Sequence, residues 1–188
     1  MNRTELIVIG GSAGSLDIIL NNLPRLKKKL PLAIVIVLHR KSSYDSALAK
    51  LFGSKTSLPV KEAEEKEKIL PGVIYLAPAD YHLLIEEDRT FSLDYSEKIH
   101  FSRPAIDATF QTASEVYGDS LAAIILSGAN SDGADGLLSV QRNKGITAVQ
   151  NPKTAEVQYM PEKALEKVKA DYILENNDIA AFINDLVS

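Results

Sequence analysis

Cysteine is absent from the 188 residues. That one absence excludes disulfides, thiolate metal sites and a cysteine nucleophile. No apolar run approaches the roughly 18–20 residues needed to span a bilayer. Met1-Asn2-Arg3-Thr4-Glu5 leads straight into a short apolar run, without the longer apolar stretch and small-residue cleavage site of a secretory signal. The resulting expectation is a cytoplasmic protein with no direct membrane insertion. Positive charge is not in excess: the formal net charge is −4, which argues against a nucleic-acid partner. Repeats, low-complexity tracts and linkers are also missing, so residues 1–188 read as a single domain.

What is present is the material of an α/β fold. The apolar fraction of 45% and charged fraction of 24% sit near the globular average, and a chain this long buries a core without staples. Leu6-Ile7-Val8-Ile9 is an apolar run of strand length that ends in Gly10-Gly11-Ser12-Ala13-Gly14. Leu16, Ile19, Leu20, Leu23 and Leu26 then recur at helical spacing, and Ala33 to Leu38 is a second buried strand. Two such runs joined by a helix make a right-handed βαβ unit with parallel strands. Further on, the pattern predicts a helix from about Asp45 to Phe52, strands at Leu58–Ala63 and Val73–Ala77, and a hairpin of His82–Glu86 with Thr90–Tyr95. The charge run from Glu62 to Lys68 reads as a solvated face. A helix opened by Pro104 runs to about Tyr117. Leu121–Leu126 is a third apolar strand, followed by a helix to about Asn143 with Gly145 as its C-cap. A strand at Ile146–Gln150, a helix from Pro161 to about Ala170, a strand at Tyr172–Leu174 and a final helix capped by Asp178 complete the pattern. The expected fold is a three-layer α/β/α, with a mainly parallel, doubly wound, Rossmann-like sheet and one antiparallel hairpin.

Open parallel sheets bind ligands beyond the carboxyl ends of their strands. Ser12 follows the first strand, His39 the second, and Asp132 the strand ending at Leu126. A hydroxyl needs an adjacent base to attack at neutral pH. A histidine, with an ordinary pKa of about 6.5, suits that task, and a carboxylate holds its tautomer. Gly10-Gly11-Ser12-Ala13-Gly14 fits G-x-S-x-G between a strand and a helix, the setting of a nucleophile elbow. The Ala13 N–H, next after the nucleophile, is a natural oxyanion donor at a helix N-terminus.

Blander readings exist for each residue. Ser12 caps a helix or cradles a phosphate, His39 is a satisfied rim histidine, and Asp132 is an N-cap or turn residue. Dinucleotide binding is disfavoured because Ser12 stands where G-x-G-x-x-G needs glycine, and the second strand ends in Leu38-His39-Arg40 rather than an acid. A Walker A pattern is absent. Asp132-Gly133-Ala134-Asp135-Gly136 lacks the ligand alternation of a calcium loop, and His39, His82 and His100 form no local zinc cluster. His82 and His100 read as structural or surface residues, with contact to substrate the alternative, and Arg103 as a solvated arginine or a guide for an acidic partner.

The order serine, histidine, aspartate differs from the Ser…Asp…His order of ordinary α/β-hydrolases. Over nearly the whole chain it resembles the catalytic domain of the chemotaxis receptor methylesterases, the CheB family. The resemblance lies in Val8-Ile9-Gly10-Gly11-Ser12-Ala13-Gly14, Val37-Leu38-His39, Val60-Lys61-Glu62-Ala63, Leu70-Pro71-Gly72, Tyr75-Leu76-Ala77-Pro78, Arg103-Pro104-Ala105-Ile106-Asp107, Ile125-Leu126-Ser127-Gly128 and Met160-Pro161. It implies hydrolysis of γ-glutamyl methyl esters, and deamidation of glutamines, on the cytoplasmic region of methyl-accepting chemotaxis receptors. It also implies a Ser12-His39-Asp132 triad, an acyl-enzyme, an oxyanion hole of the Ala13 and Ala129 N–H groups, and no metal or organic cofactor. Arg103 and Asn130 are candidates for substrate contact. The family usually carries a receiver domain ahead of the catalytic one. Here the first strand begins within ten residues, so a stand-alone catalytic domain is expected. The chain also departs from the family at Ala13, at Ser127-Gly128-Ala129-Asn130 and at Arg40-Lys41. A serine esterase or amidase with another substrate, and a non-catalytic signalling-partner binding module, are the competing readings.

Overall fold

The computed structural model describes residues 3–40 and 45–187; Lys41, one of the departures noted above, lies outside the described residues. The chain runs β1 (Leu6–Gly11), α1 (Ser15–Asn22), β2 (Ala33–Leu38), α2 (Asp45–Gly53), β3 (Val60–Glu62), β4 (Ile74–Leu76), β5 (His82–Ile85), β6 (Phe91–Asp94), α3 (Ile106–Tyr117), β7 (Leu121–Ile125), α4 (Ala134–Arg142), β8 (Ile146–Gln150), α5 (Tyr159–Lys167), β9 (Tyr172–Leu174) and α6 (Ile179–Asp185). Seven strands form a parallel sheet in the order β3-β4-β2-β1-β7-β8-β9. β5 and β6 pair antiparallel as a separate hairpin.

β1, β2 and β7 are buried along their whole length, as apolar runs rich in Ile, Val and Ala must be when helices cover both faces. Alternate side chains divide between two cores. Leu6 and Val8 pack with Phe110 and Ile106 of α3 and with Leu137 of α4. Ile7 and Ile9 pack with Ile18 and Ile19 of α1, Phe52 of α2 and Ile183 of α6. The chain leaves β1 toward β2 on one side and returns to β7 on the other. β1 and β7 therefore flank the point where strand order reverses, and the crevice for a ligand opens beyond their carboxyl ends.

Several sequence expectations are corrected. Leu16 belongs to the helical apolar pattern, yet it is 38% exposed, because it faces a cavity rather than the sheet. Pro104 does not open α3: the helix begins at Ile106, where side-chain acceptors described below take its first N–H groups. Gly145 is not the left-handed residue after α4. Lys144 holds that conformation, at φ 66°, while Gly145 donates its N–H to Val140 O at 2.9 Å. This is the 6→1 bond of a Schellman ending, which puts Gly145 one place later. Glycine is needed there because a Cβ would lie 2.7 Å from Val140 Cγ1. α5 starts at Tyr159, two residues before Pro161, and ends at Lys167. Asp178 does stand before α6, but its side chain makes no capping bond.

Candidate active site

The loop after β1 is a sharp strand-to-helix turn. Gly14 precedes α1 in the left-handed region, at φ 80°, where a side chain would be strained and a Cβ would meet Glu156 Cβ and Ser127 Oγ at 2.7 Å. The Ser15 N–H and hydroxyl both donate to Ser12 O, at 3.1 and 2.5 Å. Ser12 N–H donates to Ser127 O at 2.9 Å, and Ser127 Oγ donates to Ala13 O at 2.7 Å. The loops after β1 and β7 are thus stitched together. Ala13 and Ala129 lie exposed on those two loops. Behind them, Met160 packs so closely on Gly128 that a Cβ there would lie 2.5 Å from its methyl group. The Met160-Pro161 segment therefore supports the β7 loop from below.

His39 follows β2 directly, and its N–H donates to Gly11 O at 3.2 Å. Its side chain is 12% exposed, and Nε2 lies 2.7 Å from Oδ2 of Asp132, which is fully buried. A carboxylate accepts, so Nε2 carries the proton in the neutral ring and Nδ1 keeps the lone pair. Ser102 Oγ stands 3.3 Å from that Nδ1. Among the described residues, the hydrogen bonds of the His39 ring therefore run to Asp132 and Ser102, not to Ser12. Ser12 and His39 share the wall of an open cavity of about 350 Å³, whose apolar lining comes from Leu16, Leu38, Leu48 and Leu51.

Asp132 does not cap the helix that follows it: Gly133 occupies that N-cap, at φ 96°. Its carboxylate instead reaches the N-terminus of α3. Oδ2 accepts from Ile106 N at 2.7 Å and Oδ1 from Asp107 N at 2.9 Å. Asp107 returns the arrangement. Its Oδ1 accepts from Gly133 N at 2.9 Å and Gly136 N at 2.6 Å, at the start of α4. Each helix N-terminus is thus satisfied by a carboxylate from the other segment, which suits the positive end of each helix dipole. Burial pushes the Asp132 carboxyl up, but the bonds from His39 and from the Asp107 and Ile106 N–H groups more than offset it, so its pKa is lowered. Asp107 goes the other way. Burial and the neighbouring Asp132 charge raise it to about 6, against the opposing pull of the Gly136 N–H and His100.

The other candidates settle nearby. Asn130 organises the β7 loop: Oδ1 accepts from Asp132 N at 3.0 Å, and Nδ2 donates to Ser102 Oγ at 3.2 Å and His100 O at 3.3 Å. Arg103 stacks on Tyr95, 3.8 Å from the ring centroid, and donates to Ser96 O at 2.8 Å. It does not line the cavity. His82 is buried and ties Glu97 O to the Ala105 N–H. His100 lies 3.2 Å from Asp107 and groups with Asp107 and Asp135 within 4.8 Å, but Asp107 already caps α4 and Asp135 pairs with Lys167.

Sequence reasoning missed Ser102 and the second carboxylate, Asp107. Both lie in or beside the Arg103-Pro104-Ala105-Ile106-Asp107 segment that carries part of the resemblance, and an aspartate at a helix start is a signal for capping. Its partners, 26 and 29 residues away, are not readable from spacing.

The model of the CheB methylesterase family matches residues 7–183. A relative from Leptospira interrogans is 47% identical over 94% of this chain and 91% of its own length. The protein-glutamate methylesterase/protein-glutamine glutaminase of Thermotoga maritima is 38% identical over 97% of this chain and 54% of its own length. The crystal structure of the Thermotoga maritima CheB methylesterase catalytic domain superposes with a TM-score of 0.93 at 35% identity, covering 99% of this chain and 100% of that one. With the same fold over its whole described length and a family match from β1 to α6, this chain belongs to the CheB methylesterase family.

Proposed function

We propose that this chain hydrolyses γ-glutamyl methyl esters, and deamidates glutamines, on the cytoplasmic region of methyl-accepting chemotaxis receptors, through a Ser12-His39-Asp132 triad and an acyl-enzyme. The observation that carries the reading is the 2.7 Å bond between His39 Nε2 and a fully buried carboxylate whose pKa is lowered. It leaves Nδ1 as the only ring nitrogen able to take a proton. Family membership supports the substrate class, since relatives carry the name protein-glutamate methylesterase/protein-glutamine glutaminase.

In this mechanism Ser12 Oγ turns to Nδ1 as the ester carbonyl enters, a tightening expected when a resting site meets substrate. The Oγ–C bond forms while the hydroxyl proton passes to Nδ1. Asp132 holds the imidazolium through Nε2–H, and the Ala13 and Ala129 N–H groups receive the oxyanion. Collapse breaks the C–OCH₃ bond, and the Nδ1 proton leaves with methanol. Water, deprotonated by the same nitrogen, then releases glutamate and restores Ser12. A glutamine follows the same course with ammonia as the leaving group. No metal or organic cofactor enters any step. The contacts of Asn130 and Arg103 favour roles in holding the loops that face the substrate over direct contact with it.

The apolar cavity beside Ser12 favours one competing reading, an esterase for small apolar esters. The test is methanol release from a methylated receptor fragment. Release by the wild type and none by Ser12→Ala supports the proposal. Turnover of small esters alone favours the competitor, and no turnover of either favours a binding module.

A further inference from the structure

We propose that Ser102 is a positioning residue for His39, with a hydroxyl that serves the ring in both of its protonation states. The inference rests on the triad reading above and concerns a residue outside the triad. Among the described residues, Ser102 Oγ makes hydrogen-bond contacts with three polar atoms: His39 Nδ1 at 3.3 Å, His100 O at 3.4 Å and Asn130 Nδ2 at 3.2 Å. Asn130 Nδ2 can only donate, and His100 O can only accept. The hydroxyl's single hydrogen therefore has two destinations, Nδ1 or His100 O.

Which one it takes follows the charge on His39. With the ring neutral, Nδ1 presents a lone pair and the hydroxyl donates to it. Its own lone pair accepts from Asn130. With the ring protonated, Nδ1–H becomes a donor. The hydroxyl then rotates its hydrogen to His100 O and accepts from Nδ1–H. Only a rotation about the Cβ–Oγ bond separates the two arrangements, and every polar atom keeps a partner in each. At 3.3 Å the contact to Nδ1 is long for a hydrogen bond to a hydroxyl, so it leaves room for Ser12 Oγ to approach the same nitrogen, and Ser102 stays beside the ring to accept from Nδ1–H once the ring is charged.

The backbone holds Ser102 for this task. Ile99 and Ser102 exchange both backbone hydrogen bonds, N–H to O at 3.1 and 2.8 Å. The two residues between them, His100 and Phe101, stand at φ 48° and 62°. That is the conformation of a type I′ turn, which asparagine and glycine adopt more readily than these residues do. The turn directs the His100 carbonyl and the Ser102 hydroxyl to the same place. Asn130 fixes them from the opposite loop, and its Oδ1 accepts the backbone N–H of Asp132. One short stretch, Asn130 to Asp132, thereby positions the histidine from both ring nitrogens: through the carboxylate at Nε2 and through Ser102 at Nδ1.

The experiment compares Ser102→Thr with Ser102→Val, a pair of nearly equal shape that differs in the hydroxyl, by steady-state methanol release from a methylated receptor fragment. The expected result is that Thr keeps kcat near the wild-type value. Val should lose about tenfold, as removal of one hydrogen bond to the reacting ring implies, with KM changed less than about twofold. Equal kcat for Thr and Val overturns the proposal, as does a loss confined to KM. Thermal unfolding midpoints that match between Thr and Val show that the comparison reads chemistry; a Val loss of kcat explained by a lower midpoint also overturns it. Failure of the triad reading is seen separately, as full methanol release by Ser12→Ala in the same assay.

Discussion

At the scale of single residues, the account turns on which nitrogen of His39 does which task. Asp132 takes Nε2, so in the proposed mechanism the proton traffic belongs to Nδ1, and a change at any of the three residues should be costly. Ser12→Ala and His39→Ala should each lower turnover by about 10⁴-fold in a methanol-release assay, with little further loss in the double variant, because the residues act as a unit. Asp132→Asn should lose a similar factor, since an amide does not stabilise the imidazolium as a carboxylate does.

Asp107 makes a different prediction at the same scale. Its carboxyl is raised to about 6, by burial and by the charge of Asp132, from an unfolded value of about 3.9. Between those values the folded state binds the extra proton, so stability falls as pH rises. Its contribution is fully present below about pH 4 and is lost as pH passes through about 6. Asp107→Asn keeps an acceptor for the α4 N–H groups and removes the charge. Urea unfolding should show the variant gaining on the wild type by about 2–3 kcal/mol between about pH 4 and pH 7.5. Parallel stability curves for the two proteins contradict the assignment.

At the scale of elements, the site is a meeting of strand ends and helix starts, and its tolerances are set by close packing. A Cβ on Gly10 would lie 2.4 Å from Cγ2 of Ile106, the first residue of α3. Gly10→Ala should therefore push α3 outward, with the N–H groups that hold Asp132. It should cost about 1–3 kcal/mol as an overpacked core does, measured by urea unfolding, and it should lower kcat as well. Much of this level was legible. β9 is legible at its observed bounds and the hairpin and α2 to within two residues, and the rule that ligands bind beyond strand ends picks out Ser12, His39 and Asp132, which the structure brings to one end of the sheet. The exchanged caps of α3 and α4 were not legible, because Asp132 and Asp107 serve helices other than the nearest and the pairing exists only after folding. Nor was the 99–102 turn, whose central residues lack the usual turn chemistry. Lys144 was missed in favour of Gly145 because a glycine near a helix end usually signals backbone freedom, whereas here it makes room for Val140.

At the scale of the whole molecule, the sheet order places β1 at the reversal point and brings together residues 12, 39 and 132, which the chain separates widely. The two cores hold that convergence from opposite faces. α3 is its keystone on one side, with Phe110 fully buried. Phe110→Ala should cost about 3–5 kcal/mol of unfolding free energy, as an emptied aromatic site does. Fold class and sheet type are readable from order and periodicity, and the family from the resemblance of its motifs. The pairing of His39 with Asp132 is readable too, but the Ser102 contact is not, because Ser102 arrives from a turn whose direction only the assembled fold sets.

The most direct measurement is active-site labelling with a fluorophosphonate, followed by peptide mapping. The account predicts one adduct, on Ser12, lost in Ser12→Ala and strongly slowed in His39→Ala. An adduct on Ser102 instead, or labelling of Ser12 that is indifferent to His39, would contradict it.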